Sequence, residues 1–143
     1  MNKLMWALIV TSSFAWAGSA LADMPQAPNH LPVEELKWFA TGIGPMQAAV
    51  AYGDMATGPY GVFLKFPGGF TSPVHQHTGE YRAVVIGGTI VNSEAGEKDI
   101  TMKPGSSWYQ QGKVSHVTKC VSKDGCTVFL TQSSKFDFNP VEK

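Results

Sequence analysis

Short apolar and β-branched runs, separated by clusters of glycine and proline, repeat along the chain from Gly44 onwards. Runs that end in turn residues at intervals of about 8–12 residues are typical of strands in a sandwich or barrel. Eight or more such strands are predicted, with no convincing long helix. The predicted runs are 47–52, 60–66, 73–77, 81–86, 89–92, 98–102, 107–110, 114–120 and 126–132. The pattern therefore predicts an all-β protein.

The first 22 residues follow a different pattern. Lys3 is followed by an apolar stretch over 4–10, and a small-x-small cleavage site ends at Ala22. These are features of a secretory signal peptide, and the stretch is too short and wrongly flanked for a spanning helix. Cleavage after Ala17 and retention as a membrane anchor are the alternatives. The sequence thus predicts a periplasmic or secreted protein of one domain.

Beyond the signal peptide, residues 23–40 are polar and proline-rich, and we expect an N-terminal arm there. Residues 41–143 carry the strand pattern and form the expected domain. Ten basic and eleven acidic residues remain after cleavage, with no basic block, so nucleic acid is an unexpected partner. No second long apolar run predicts a membrane span. The sequence leaves open whether the protein forms a homodimer.

The two cysteines are Cys120 and Cys126, and five residues that include the turn signal Asp124-Gly125 separate them. Export would place them where disulfides persist. We expect a disulfide across the neck of a hairpin formed by 114–120 and 126–132. Thiolate ligation of a metal is the alternative, although the spacing matches no common zinc motif.

The candidate chemistry lies between Gly69 and Gly88. His75 and His77 are alternate residues, so on a strand both rings leave the same face. Glu80 follows after a two-residue turn. Two imidazoles and a carboxylate form the ligand set of a non-haem iron, manganese or zinc site.

The spacing Gly69, five residues, His75, one residue, His77, then Glu80, six residues and Gly87 resembles the first cupin motif. Two residues separate His77 from Glu80, where the motif has three or four. The segment 110–116 resembles the second motif, which supplies a third histidine. The wider pattern also resembles a family of secreted single-domain cupins, through 104–110, His116, Cys120, Cys126 and 136–138.

The resemblance implies a single-domain double-stranded β-helix, the cupin jelly roll. It also implies a divalent metal ion (Zn, Mn, Fe or Ni) held by His75, His77, Glu80 and His116. If the short spacing forbids ligation by Glu80, Tyr81 takes the inward position and the metal has three histidines. Glu80 is then a loop carboxylate paired with a lysine.

Arg82 is the only arginine. On a strand it shares a face with Glu80, so we expect both to point inward. Arg82 would then bind a small organic acid or form an ion pair with Glu80. We expect Tyr81, Trp108 and Gln110 to complete the ligand site, although the sequence leaves open whether Trp108 and Gln110 face the interior.

Three functions fit this site. The first is a metal-dependent dioxygenase, isomerase or lyase acting on a small molecule. The second is a non-catalytic periplasmic ligand-binding or sensor protein. The third is a cupin without metal, retained as a structural domain. The fold alone does not decide among them.

Overall fold

The computed structural model describes residues 30–141, so the expected signal peptide lies outside the described residues. A short 3-10 helix, Val33–Glu35, precedes the strands. In chain order the strands are β1 (Phe39–Ala40), β2 (Gln47–Gly53), β3 (Tyr60–Phe66), β4 (His75–Gln76), β5 (Tyr81–Gly87), β6 (Ile90–Glu94), β7 (Thr101–Met102), β8 (Ser107–Gln110), β9 (His116–Cys120), β10 (Cys126–Gln132) and β11 (Asn139–Pro140). The described part contains no α-helix, and no helix in it is long and apolar enough to cross a membrane.

The strands form two antiparallel sheets. The order is β1-β2-β3-β10-β5-β8 in the six-stranded sheet and β11-β4-β9-β6-β7 in the five-stranded sheet. Consecutive strands such as β4 and β5 lie in different sheets, so the chain crosses repeatedly between them. This is the jelly roll of the cupin fold in a single domain, which confirms the predicted fold class.

The core lies between the two sheets, and β5 shows how its register is set. Tyr81, Ala83 and Val85 are buried, whereas the alternate residues Arg82 and Ile86 are exposed. A shift of one residue would turn the guanidinium of Arg82 into the core, where it needs a partner. The expectation that Arg82 points inward is therefore wrong. The observed register buries Tyr81, Ala83 and Val85, and it leaves the charged side chain of Arg82 in solvent.

Cys120 ends β9 and Cys126 begins β10, and their sulfur atoms are bonded at 2.01 Å. The expected hairpin is wrong, however, because β9 pairs with β4 and β6, whereas β10 pairs with β3 and β5. The segment between the two cysteines instead carries the chain from one sheet to the other. The disulfide consequently ties the two sheets together, and thiolate ligation is not observed.

Candidate metal centre and adjoining cavity

Two neighbouring strands bring three histidines together. His75 begins β4 and His116 begins β9, and these two residues are paired directly across the strands. His77 follows β4 and leaves the same face as His75, as the alternate spacing predicts. All three side chains are buried, and His116 is fully inaccessible to solvent.

Each of the three rings offers one nitrogen as a candidate metal ligand. Their candidate ligand atoms all lie within 4.8 Å of one another. Nδ1 of His75 donates to the carbonyl of Pro73 at 2.9 Å, and Nδ1 of His116 donates to that of Val114 at 3.0 Å. Nδ1 of His77 donates to the carbonyl of Asp137. A carbonyl can only accept, so each Nδ1 carries the proton and each Nε2 keeps its lone pair.

Burial also favours the neutral rings. The pKa of His75 and of His116 is lowered to about 4, mainly by burial and in smaller part by the nearby imidazoles, whereas the hydrogen bonds to the backbone carbonyls raise it. The pKa of His77 is lowered as well, again mainly by burial. Neutral imidazole is the form that binds a metal, and a hydrogen bond from its other nitrogen to a backbone carbonyl is typical of metal-binding histidines. The donor set therefore fits a divalent transition metal such as zinc, iron or nickel.

Glu80 lies outside this cluster. Its side chain is exposed, and its Oε2 accepts a hydrogen bond of 2.7 Å from the hydroxyl of Tyr109 on the outer face. Arg82 is also exposed, with its guanidinium carbon 4.7 Å from the centre of the Tyr109 ring. The expected inward direction of Glu80 is therefore wrong, and within residues 30–141 Glu80 forms an ion pair neither with Arg82 nor with a lysine. The two-residue spacing after His77 gives the inward position to Tyr81 instead.

Tyr81 occupies the interior beside the histidines. Its side chain is only 5% exposed, and its hydroxyl oxygen lies 3.4 Å from Nε2 of His116. The same hydroxyl lies 3.4 Å from Oδ1 of Asn92. Desolvation raises the pKa of Tyr81 far above its ordinary value, so the free phenol is neutral.

An apolar cavity of about 150 Å³ adjoins the histidines. His75 and His77 belong to its wall, together with Tyr81 and Trp108. The remaining wall consists of aromatic, aliphatic and sulfur-containing side chains with a few hydroxyls, namely Phe39, Thr41, Ile43, Met46, Met55, Leu64, Phe66, Phe70, Ser72, Thr118, Val128, Leu130, Phe136 and Phe138. Among the described residues, no lysine, arginine or carboxylate lines the cavity.

Trp108 and Gln110 both face the interior, but they have different surroundings. Trp108 lines the cavity, and its buried indole N–H has no hydrogen-bond partner among residues 30–141. Gln110 lies off the cavity, where its Oε1 accepts from Nδ2 of Asn92 at 2.9 Å. Its Nε2 donates to the carbonyl of Val114 at 3.4 Å, the same carbonyl that orients His116.

Residues late in the chain complete the site, and their role there was not predicted. Strand β11 pairs with β4, which brings the segment 136–140 against the histidines. The ring of Phe138 stacks on His75 with centroids 4.3 Å apart, and Phe136 lies 5.8 Å from His77. The backbone carbonyl of Asp137 fixes His77. Only the Phe-Asp-Phe pattern marked this segment, and a carbonyl contact leaves no signature in a sequence.

Several solved structures have a similar fold, and each matches most of this chain. An RmlC-like cupin from Shewanella frigidimarina is 19% identical with a TM-score of 0.64, covering 80% of this chain and 97% of that one. KdgF from Halomonas sp. is 19% identical with a TM-score of 0.59, covering 73% and 94%. The polyketide cyclase RemF from Streptomyces resistomycificus is 12% identical with a TM-score of 0.66, covering 81% and 87%. At these identities the similarity establishes the fold.

No curated protein matches the chain in sequence. Residues 29–142 match the family of the domain of unknown function DUF4437. This match covers the described jelly roll from before the first strand to its last strand, including all three clustered histidines. The chain therefore belongs to the DUF4437 family, and its fold is that of the cupins.

Proposed function

We propose that this protein is an exported cupin that holds one divalent metal ion with His75, His77 and His116 and binds or acts on a small organic molecule in the adjoining cavity. The observation that carries the proposal is the group of three buried imidazoles, each bonded through Nδ1 to a backbone carbonyl. This arrangement leaves the lone pair of each Nε2 available to a metal, and the candidate ligand atoms of the three residues lie within 4.8 Å of one another.

The proposed ligand touches both the site and the apolar wall. When bound, a divalent metal would supply a Lewis acid that polarises an oxygen atom of a ligand or of water. His75 and His77 line the cavity, so a molecule that fills it lies beside the histidines. The aromatic and aliphatic wall would exclude bulk water from that molecule and strengthen electrostatic interactions within the site.

The wall indicates a neutral, largely apolar ligand. A cavity near 150 Å³ holds a molecule about the size of benzene. The free indole N–H of Trp108 favours a ligand with one oxygen acceptor, such as a phenol or a small ketone. The organic acid that Arg82 would have bound is not part of the proposal, because Arg82 lies on the outer face.

Enzymatic and non-catalytic versions of this function share the same ligand. A dioxygenase, isomerase or lyase would convert it, whereas a carrier or sensor would release it unchanged. Incubation of metal-loaded protein with small phenols and ketones, followed by mass spectrometry of the recovered compounds, separates the two. A new product supports an enzyme, and tight binding with full recovery supports a carrier or sensor.

Export is supported by the disulfide between Cys120 and Cys126, because such bonds persist in oxidising compartments such as the periplasm. Intact-mass measurement of the exported protein, with and without reduction before alkylation, tests it. Two free thiols in the unreduced protein would count against an oxidising location.

The metal is tested on protein without a histidine tag. We expect close to one transition-metal ion per chain by elemental mass spectrometry, after purification and again after removal and reloading with zinc. Protein that is folded yet takes up no metal at any stage would overturn the proposed metal centre and favour a structural domain.

A further inference from the structure

The Tyr81 hydroxyl stands at an unusual distance from the histidines. Its oxygen is 3.4 Å from Nε2 of His116. This is long for a hydrogen bond, because hydroxyl donors lie about 2.5–3.0 Å from their acceptors. It matches two atoms that bind one ion: metal–nitrogen and metal–oxygen bonds of about 2.0–2.2 Å at a tetrahedral angle hold the two ligand atoms about 3.3–3.5 Å apart.

The oxygen of Tyr81 also lacks a short partner elsewhere. Within residues 30–141 its other hydrogen-bond contact is Oδ1 of Asn92, likewise at 3.4 Å. The orientation of the Asn92 amide is fixed, because Oδ1 accepts from Thr118 at 2.8 Å and Nδ2 donates to Gln110 at 2.9 Å. The phenolic proton therefore has its acceptor at Asn92, and the oxygen lone pairs remain for His116 and for the indole N–H of Trp108, which favours the ionised phenol.

Both hydrogen-bond contacts of this buried hydroxyl are long and therefore weak, so a metal–oxygen bond would stabilise it further. We propose that Tyr81 is the fourth donor of the metal centre, in the place where Glu80 was expected. The inference rests on the proposed function. The site would then offer three imidazoles and one phenol oxygen, and metal binding would displace the phenolic proton to solvent.

Copper provides a direct probe of this bond, because a phenol oxygen bound to Cu²⁺ gives a charge-transfer band in the visible region. The test loads the untagged, metal-free protein with one equivalent of Cu²⁺ and records its absorption spectrum. Tyr60→Phe is the matched control, since Tyr60 is also a buried tyrosine but donates to Gln132 at 3.1 Å. Elemental analysis of each sample reports the copper that is bound.

We expect the band in the unsubstituted protein and in Tyr60→Phe, and its loss in Tyr81→Phe. We also expect Tyr81→Phe to bind Zn²⁺ about 10- to 100-fold more weakly in competition with a chelator. Copper bound without the band in the unsubstituted protein overturns this inference alone, whether or not Tyr81→Phe folds. A band that persists in Tyr81→Phe also overturns it. Failure of the unsubstituted protein to bind any metal overturns the proposed function as well.

Discussion

The hydroxyl of Tyr109 donates a hydrogen bond of 2.7 Å to Oε2 of Glu80. Both residues are exposed on the outer face of the six-stranded sheet, on the side of β5 and β8 away from the histidines. The carboxylate that a cupin motif would direct at a metal is thus engaged outside the barrel. Exposed pairs of this kind contribute little to stability, so substitutions of Glu80 should test metal binding without disturbing the fold.

Glu80→Gln is expected to leave metal content and metal affinity unchanged, because the side chain does not reach the histidines. Elemental analysis and chelator competition check this, and Glu80→Ala provides a second substitution at the same position. Loss of metal in both variants, with unchanged circular dichroism, would return Glu80 to the ligand set.

His75→Ala, His77→Ala and His116→Ala should each abolish stoichiometric metal binding, because each removes one of three converging imidazoles. The melting temperature should lose its dependence on added metal, since a ligand of the folded state stabilises it by mass action. His30→Ala is the matched control, because His30 is exposed and outside the cluster. One variant of the three with full occupancy would remove that histidine from the site.

The metal-free protein should lose stability as the pH falls from about 6.5 towards 4. The pKa of His75 and of His116 is about 4 in the folded state, below the ordinary value of 6.5. Between these values the unfolded chain binds protons that the folded chain does not, so acidification favours unfolding. Below about 4 the folded state also binds them and this contribution levels off.

Urea unfolding of chelator-treated protein at pH 7 and pH 5 measures the effect. His116→Gln should show a smaller change in the free energy of unfolding than the unsubstituted protein. Equal changes in the two proteins would mean that His116 does not contribute to the pH dependence.

Reduction of the disulfide should lower the free energy of unfolding by about 2 kcal/mol, mainly because a short closed loop restricts the unfolded chain. Urea unfolding of the Cys120→Ser, Cys126→Ser double variant measures this. Metal content should be retained, because neither sulfur belongs to the histidine cluster. An unchanged free energy of unfolding in the double variant would show that the disulfide does not stabilise the folded protein.

The parts of the molecule that were predictable depend on local sequence. The turn spacing predicted an all-β domain, and the alternate spacing of His75 and His77 placed both rings on one face. The face of β5 was not predictable in this way. Its two alternating sets are both largely apolar, and the choice depends on burying Arg82 or Tyr81 against partners that a sequence does not show.

The pairing between strands that are distant in the chain could not be predicted from the sequence either. The expected turn forms at Lys123 and Asp124, with Gly125 after it, yet whether the flanking strands pair with each other depends on β3, β5 and β6. The contact of Asp137 with His77 spans 60 residues and uses a main-chain oxygen that every residue possesses. Such contacts become visible only when the topology is known.

The contact between the Asp137 carbonyl and His77 also has a consequence for the order in which the centre forms. Chains are synthesised from the amino terminus, so His75, His77 and His116 all emerge before residues 136–140. Until that segment pairs with β4, the His77 ring lacks the acceptor that fixes its tautomer, and the cavity lacks the wall formed by Phe136 and Phe138. Metal uptake at the proposed centre would therefore follow the pairing of this segment with β4, and a polypeptide that ends before Asp137 would carry every histidine of the centre but only part of the structure that holds them.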